Sequence, residues 1–136
     1  MSTASALATG AEAAYWEGLE AGQLRLQKCA KCGVPHWPAA WRCSDCGSWE
    51  HVWDDVAMRG EIYTWTRNWH PFGGLEHLAK PFVIVVVSIE KGGGARLMGI
   101  LEGEAPDVAI GRKVTGHVAL TPYGDRDMPT IRWTLA

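Results

Sequence analysis

The chain has 136 residues, 47% of them hydrophobic and 21% charged, with 13 basic against 15 acidic side chains and a net charge of −2. That balance suits a globular chain of one domain, or of a small module joined to a modest one, and argues against a binder that holds nucleic acid through a basic footprint. The longest apolar run, Pro81 to Val87, has the length of a strand and falls far short of a membrane span, so no membrane partner is expected.

In chain order, Met1 to Gly10 is small and polar and is expected to be disordered. Met1 to Tyr15 lacks the basic start and long apolar core of a signal peptide, which predicts a cytoplasmic location. Ala11 to Ala21 reads as a short helix: it is alanine-rich, Tyr15, Trp16 and Leu19 make one apolar stripe, and Gly22 stands just past its end. Such a short helix does not stand alone in water, so its stripe docks on its own domain or on another chain. Tyr15, Trp16 and Leu19 are therefore the candidate partner-binding residues.

Leu24 to Lys28 is predicted as a strand entering a knuckle and Val34 to Trp37 as one leaving it, with Pro35 and Pro38 limiting the ladder. Every cysteine of the chain lies here, as two Cys-x-x-Cys pairs, Cys29/Cys32 and Cys43/Cys46, each followed by glycine. Two intervening residues let the chain close into a tight turn with both sulfurs on one side. Gly33 and Gly47 sit where such a turn needs positive φ. Two knuckles then supply four thiolates at about 2.3 Å from Zn2+, a closed structural shell with no place for water. Iron in a rubredoxin-like centre fits the same ligands, because a thiolate tetrahedron does not choose between the metals. Disulfides would require an exported chain. With all four thiols bound, none is left as a nucleophile. Arg25, Lys28, Lys31 and Arg42 lie close in sequence and either offset the negative charge of the centre or form ordinary solvated surface.

Of eight tryptophans, five (Trp16, Trp37, Trp41, Trp49 and Trp53) precede Val56, more aromatic surface than a small metal module buries alone. Some must pack on a neighbouring domain or face a partner protein.

Beyond Asp55 the period becomes two. In Glu61 to Trp69 the alternation puts Ile62, Thr64 and Thr66 on one face and Tyr63, Trp65, Arg67 and Trp69 on the other. Phe82 to Glu90 is rich in β-branched residues, as a central strand would be, and Lys91 to Gly94 is turn chemistry joining it to Arg96 to Glu102. Asp107 to Gly111 is expected as a short turn or helix. Lys113 to Leu120 and Thr130 to Leu135 complete five strands, the last with Ile131, Trp133 and Leu135 facing inward. Five strands in about 80 residues predict a closed or nearly closed barrel of OB-fold size. The predicted class is mainly β: a disordered start and docking helix over 1–22, a zinc ribbon over 23–56 and a five-stranded OB-fold over 57–136.

The loop from Arg67 to Lys80 is long, and long loops in compact domains are often functional. His70 and His77 flank its Gly-Gly step, and Arg67, Trp69, Phe72 and Lys80 add rings and positive charge. That mixture suits an adenine ring with phosphates, and equally a protein interface. Neither these histidines nor His36, His51 and His117 belong to a nucleophile–base motif, so no catalytic residue is assigned. His117 alternates with Val118 as an exposed strand position, and His36 lies inside the ribbon hairpin, near the cysteines.

The order YWEGL (Tyr15 to Leu19), LRLQKCAKCG (Leu24 to Gly33), a proline before CSDCG, then GEIYTWT (Gly60 to Thr66), PFVIVVVSIE (Pro81 to Glu90) and the Ile110-Gly111 step resembles one family over roughly Ala14 to Trp133. This is the group of acyl-CoA-associated OB-fold proteins with an N-terminal rubredoxin-like zinc ribbon, domain of unknown function 35. The resemblance implies complexes with thiolase-like or acyl-CoA hydratase-like enzymes, in which the partner supplies the catalytic residues. Family members serve thiolysis, acyl transfer or retro-aldol cleavage of steroid side-chain thioesters. The expected role is a non-catalytic subunit of a hetro-oligomer with a thiolase-like or aldolase chain, helping to form its acyl-CoA channel. A coenzyme A thioester would then sit at the interface, with Arg67, Trp69, His70, Phe72 and Lys80 as candidate contacts. The long 67–80 loop departs from the family pattern at this edge. Alternatives are a partner of an acyl-CoA hydratase, an independent enzyme acting on acyl thioesters, and an OB-fold binder of single-stranded nucleic acid using Tyr63 and Trp65, which the charge balance disfavours.

Overall fold

The structure, a computed structural model, describes residues 10–70, 73 and 75–136. The disorder expected of the first ten residues thus falls, apart from Gly10, outside the described residues. Helix α1 (Ala13–Glu20) forms within the expected span. It ends in a Schellman turn: Gln23 N–H donates to the Gly18 carbonyl at 2.7 Å and Gly22 N–H to that of Leu19 at 3.0 Å. Gly22 takes the left-handed conformation this requires, with φ +77. Gly18 and Leu19 are buried, which seats the helix on the strand that follows.

Strands β1 (Leu24–Cys29), β2 (Pro35–His36) and β3 (His51–Val56) make an antiparallel sheet in the order β2-β1-β3. The prolines confine β2 to two register pairs, Gln27 with His36 and Lys28 with Pro35. The period reading did not find β3, whose Asp54-Asp55 step has poor strand propensity. Cross-strand charge supports it: Arg25 Nε meets the directly opposed Asp55 Oδ1 at 3.0 Å, and Lys28 Nζ meets Asp54 Oδ2 at 2.9 Å.

Strands β4 (Arg59–Asn68), β5 (Phe82–Ile89), β6 (Arg96–Leu101), β7 (Lys113–Tyr123) and β8 (Arg126–Leu135) close into a barrel in the order β4-β5-β6-β8-β7. The fold is therefore mainly β, with a short helix, a ribbon and a five-stranded OB-type barrel. The register of β4 against β5 slips between Ile62 and Thr64. That bulge turns the strand over: Ile62 is buried, but beyond it Trp65 rather than Thr64 packs on the core. The uninterrupted alternation expected for β4 is thereby corrected. Asp107 to Gly111 forms turns.

The β7–β8 hairpin runs further than expected, because Pro122 and Pro129 fall at tolerant positions. Gly116 N–H bonds Met58 and Ala136 N–H bonds Lys113, so in the regular register both prolines occupy pairs that exchange no backbone hydrogen bonds.

Ile62, Val83, Val85, Val87, Leu97 and Val114 fill the barrel around Trp133, which is 0% exposed. This indole fits because its neighbours on β6 and β7 are glycines: a Cβ at Gly99 would come within 2.9 Å of it and one at Gly116 within 3.0 Å. Leu19, Leu24 and Leu26 join the same core, so helix and ribbon share apolar packing with the barrel.

Candidate functional site

The two knuckles bring Cys29, Cys32, Cys43 and Cys46 together, with all four Sγ atoms within 4.8 Å of one another. Cys29 Sγ lies 3.6 Å from Cys46 Sγ, and Cys32 Sγ 3.5 Å from Cys43 Sγ. A tetrahedron with metal–sulfur bonds of about 2.3 Å has edges of about 3.8 Å, so the donor set fits a tetrathiolate zinc ion. Gly33 and Gly47 have φ +78 and +80, as the knuckle turns demand.

Backbone N–H groups of Lys31 and Cys32 point at Cys29 Sγ, each at 3.4 Å. The Cys29 thiol is held below its ordinary range, first by the Cys32 N–H, and Cys43, led by the Cys46 N–H, drops to about 5, whereas Cys32, despite the Val34 N–H, is pushed up to about 12 by burial and by the three sulfurs beside it. Amides that lower a thiol pKa stabilise thiolate, the form a metal binds. Of the four nearby cations, Arg25 and Lys28 are paired with Asp55 and Asp54, and Arg42 donates to the Gly47 carbonyl at 3.1 Å.

Two histidines flank the centre. His36 helps to lower the Cys43 thiol, and its Nε2 is buried without a hydrogen-bond partner. His51 Nε2 donates to the Trp41 carbonyl at 2.7 Å, leaving a buried Nδ1. Gln27, 3% exposed, donates to the Ala40 carbonyl at 3.0 Å and accepts from Ala40 N–H at 2.9 Å, tying the chain before the second knuckle to β1.

The residues expected to face a partner or coenzyme divide. Tyr15, Trp16 and Leu19 line an apolar cleft of about 250 Å3 together with Leu75, His77 and Leu78 of the long loop. Burial pushes the Tyr15 phenol up to about 12. Sequence reasoning treated helix stripe and loop as separate features, and only the folded chain joins them. Arg67 instead donates to the Glu104 and Ala105 carbonyls at 3.3 and 3.1 Å, anchoring the end of β4. Trp69, 70% exposed, and the exposed His70 and Lys80 lie outside the lining of the cleft. Phe72 lies outside the described residues. His117 is exposed and meets Glu102 at 3.1 Å. Among the described residues, no helix is long and apolar enough to cross a membrane.

Comparisons with known proteins agree with this architecture. Residues 16–51 match the rubredoxin-like zinc ribbon domain of ChsH2, and residues 53–119 its C-terminal OB-fold domain. A probable enoyl-CoA hydratase alpha subunit of Thermomonospora curvata is 35% identical over 105 residues, 74% of this chain. The chain spans only 31% of that curated relative's length. The solved structure of an Ltp2-ChsH2(DUF35) aldolase superposes with a TM-score of 0.76 at 25% identity, covering 91% of this chain and 93% of the other. A DUF35 protein of unknown function from Sulfolobus solfataricus shares the fold, with a TM-score of 0.61 at 18% identity over 94% of this chain and 87% of the other. Tetrathiolate ribbon and closed barrel, in this order, place the chain in the DUF35 family, as a ChsH2-type zinc ribbon followed by an OB-fold domain.

Proposed function

We propose that this chain is a non-catalytic accessory subunit that binds an acyl-CoA enzyme of the aldolase or thiolase type and helps to hold its thioester. The observation that carries this reading is the likeness, over nine-tenths of the chain, to a structure of an Ltp2-ChsH2(DUF35) aldolase. The gathering of all four thiols into one metal-type cluster supports it, since those sulfurs are committed to architecture. In this reading residues 23–56 form the zinc module, with Cys29, Cys32, Cys43 and Cys46 as ligands of a structural Zn2+, and residues 57–136 the OB-fold module. Exposed Trp41 and Trp49 on the ribbon and Trp69 on the loop are aromatic surfaces of the kind interfaces use.

The name of the Thermomonospora curvata relative favours a second reading, in which the partner is an acyl-CoA hydratase. Co-purification from the native host, with identification of the bound enzyme, separates the two readings. The chain alone is expected to turn over no thioester, and the partner alone to lose most of its activity. A partner equally active without this chain would sink the accessory role.

A further inference from the structure

We propose that the cleft beneath α1 is a binding site for an amphiphilic anion, taking a medium-length aliphatic chain into its apolar interior and the anionic head at Arg132.

The cleft exists because the barrel parts along one seam. Strands β6 and β8 are paired only at Ile100 with Arg132 and Leu101 with Trp133, so the start of β6 has no β8 partner. Leu97 and Ile131 line the opening, and Trp16, Leu19 and Leu78 wall it from outside the barrel. Its volume of about 250 Å3 has room for about eight water-sized groups at ~30 Å3 each, which suits a chain of about eight carbons. The apolar walls disfavour water as the occupant.

The polar groups of the cleft gather on the β7–β8 side. Thr121 and Thr130 hydroxyls lie 2.6 Å apart, and Arg132 Nη2 donates to Thr121 Oγ1 at 2.9 Å. Among the described residues, Arg132 makes no ion pair, whereas Arg25, Lys28, Arg59 and Lys113 each pair with an acid. Glu102, just past the end of β6, meets His117 at 3.1 Å. A guanidinium beside an apolar cleft, with donors to spare, complements a carboxylate, a phosphate or the oxygen of an acyl thioester. Trp133, also in the lining, keeps a buried Nε1–H without an acceptor, a reporter for any group that enters.

The site deepens the accessory-subunit reading, and the choice of a thioester among amphiphilic anions rests on that reading. The test therefore uses the zinc-loaded full chain alone and follows the assigned indole N–H resonances of Trp16 and Trp133 during titration with octanoate, 1-octanol, octanoyl-CoA and free coenzyme A. Octanoate is expected to saturate at one site and shift both indoles, with octanol bound at least about 5-fold more weakly for want of the charge-assisted bond. Arg132→Gln should bring octanoate to the level of octanol, and Thr130→Trp, which fills the cleft, should abolish both. Leu78→Trp fills it from the loop side should Thr130→Trp fail to fold. Octanoyl-CoA binding with free coenzyme A silent would assign the head to a thioester. Octanoate binding without octanoyl-CoA binding would keep the cleft and remove the thioester. Absence of any saturable shift, shifts that survive both filled-cleft variants, or shifts that appear only when a partner enzyme is added would overturn the site, the last in favour of a docked partner side chain.

Discussion

The ribbon and the barrel hold their strands by different means. Every barrel strand contributes buried residues, from Ile62 on β4 to Ile131 and Trp133 on β8. In the ribbon sheet β1 alone does so, while β2 and β3 contain no buried residue. The barrel also closes on itself and leaves little edge, whereas the ribbon sheet is open at both sides. Where apolar area is scarce, cohesion must come from elsewhere: here from four thiols, the Gln27–Ala40 hydrogen bonds and two cross-strand ion pairs.

The contrast breaks most visibly on metal removal. Chelation, or Cys43→Ser, is expected to melt residues around both knuckles while barrel amides stay dispersed, because structural zinc contributes on the order of 10 kcal/mol to folding of such modules. Simultaneous loss of barrel and ribbon amide signals would show that Leu19, Leu24 and Leu26 fuse the two into one cooperative unit. Next in size, Trp133→Ala should cost about 3–5 kcal/mol in urea unfolding of the barrel, since its cavity is walled by rigid strands and cannot collapse. Smaller again, Gln27→Ala should lower the stability of the ribbon by about 1–3 kcal/mol by leaving the Ala40 backbone unpaired. A change confined to the barrel transition would contradict its role in the ribbon.

The smallest effect tests the junction between the regions. The Tyr15 phenol is raised from 10.0 to about 12 by burial, so the unfolded chain loses this proton first as pH rises. The stability it contributes is full below about pH 10 and drains away toward pH 12. The thermal midpoint should therefore fall more steeply across that window in the native chain than in Tyr15→Phe; parallel slopes would mean the phenol is wet.

Much of this was legible locally. Cys-x-x-Cys spacing with a following glycine leaves few ways to arrange the sulfurs, and the knuckle φ angles at Gly33 and Gly47 match. The β-branched run of β5 and the turn after it needed only their own sequence to be read. Strand β3 escaped because its aspartates are poor strand formers, excused by Arg25 and Lys28 on the opposing strand. The inversion of β4 beyond Ile62 escaped because one bulged residue resets every later side chain, and nothing in the local alternation marks it. The bonds of Arg67 to the Glu104 and Ala105 carbonyls escaped because those groups lie far along the chain.

The sequence by itself determined the two Cys-x-x-Cys knuckles, the count of barrel strands and the helix stop at Gly22, since each depends on groups a few residues apart. Tertiary structure alone decided that Tyr15, Trp16 and Leu19 share one cleft with residues of the long loop, and that β6 and β8 pair only at Ile100 with Arg132 and Leu101 with Trp133. Closure of a barrel is a property of distant pairings, and the gap it leaves is written in no single segment.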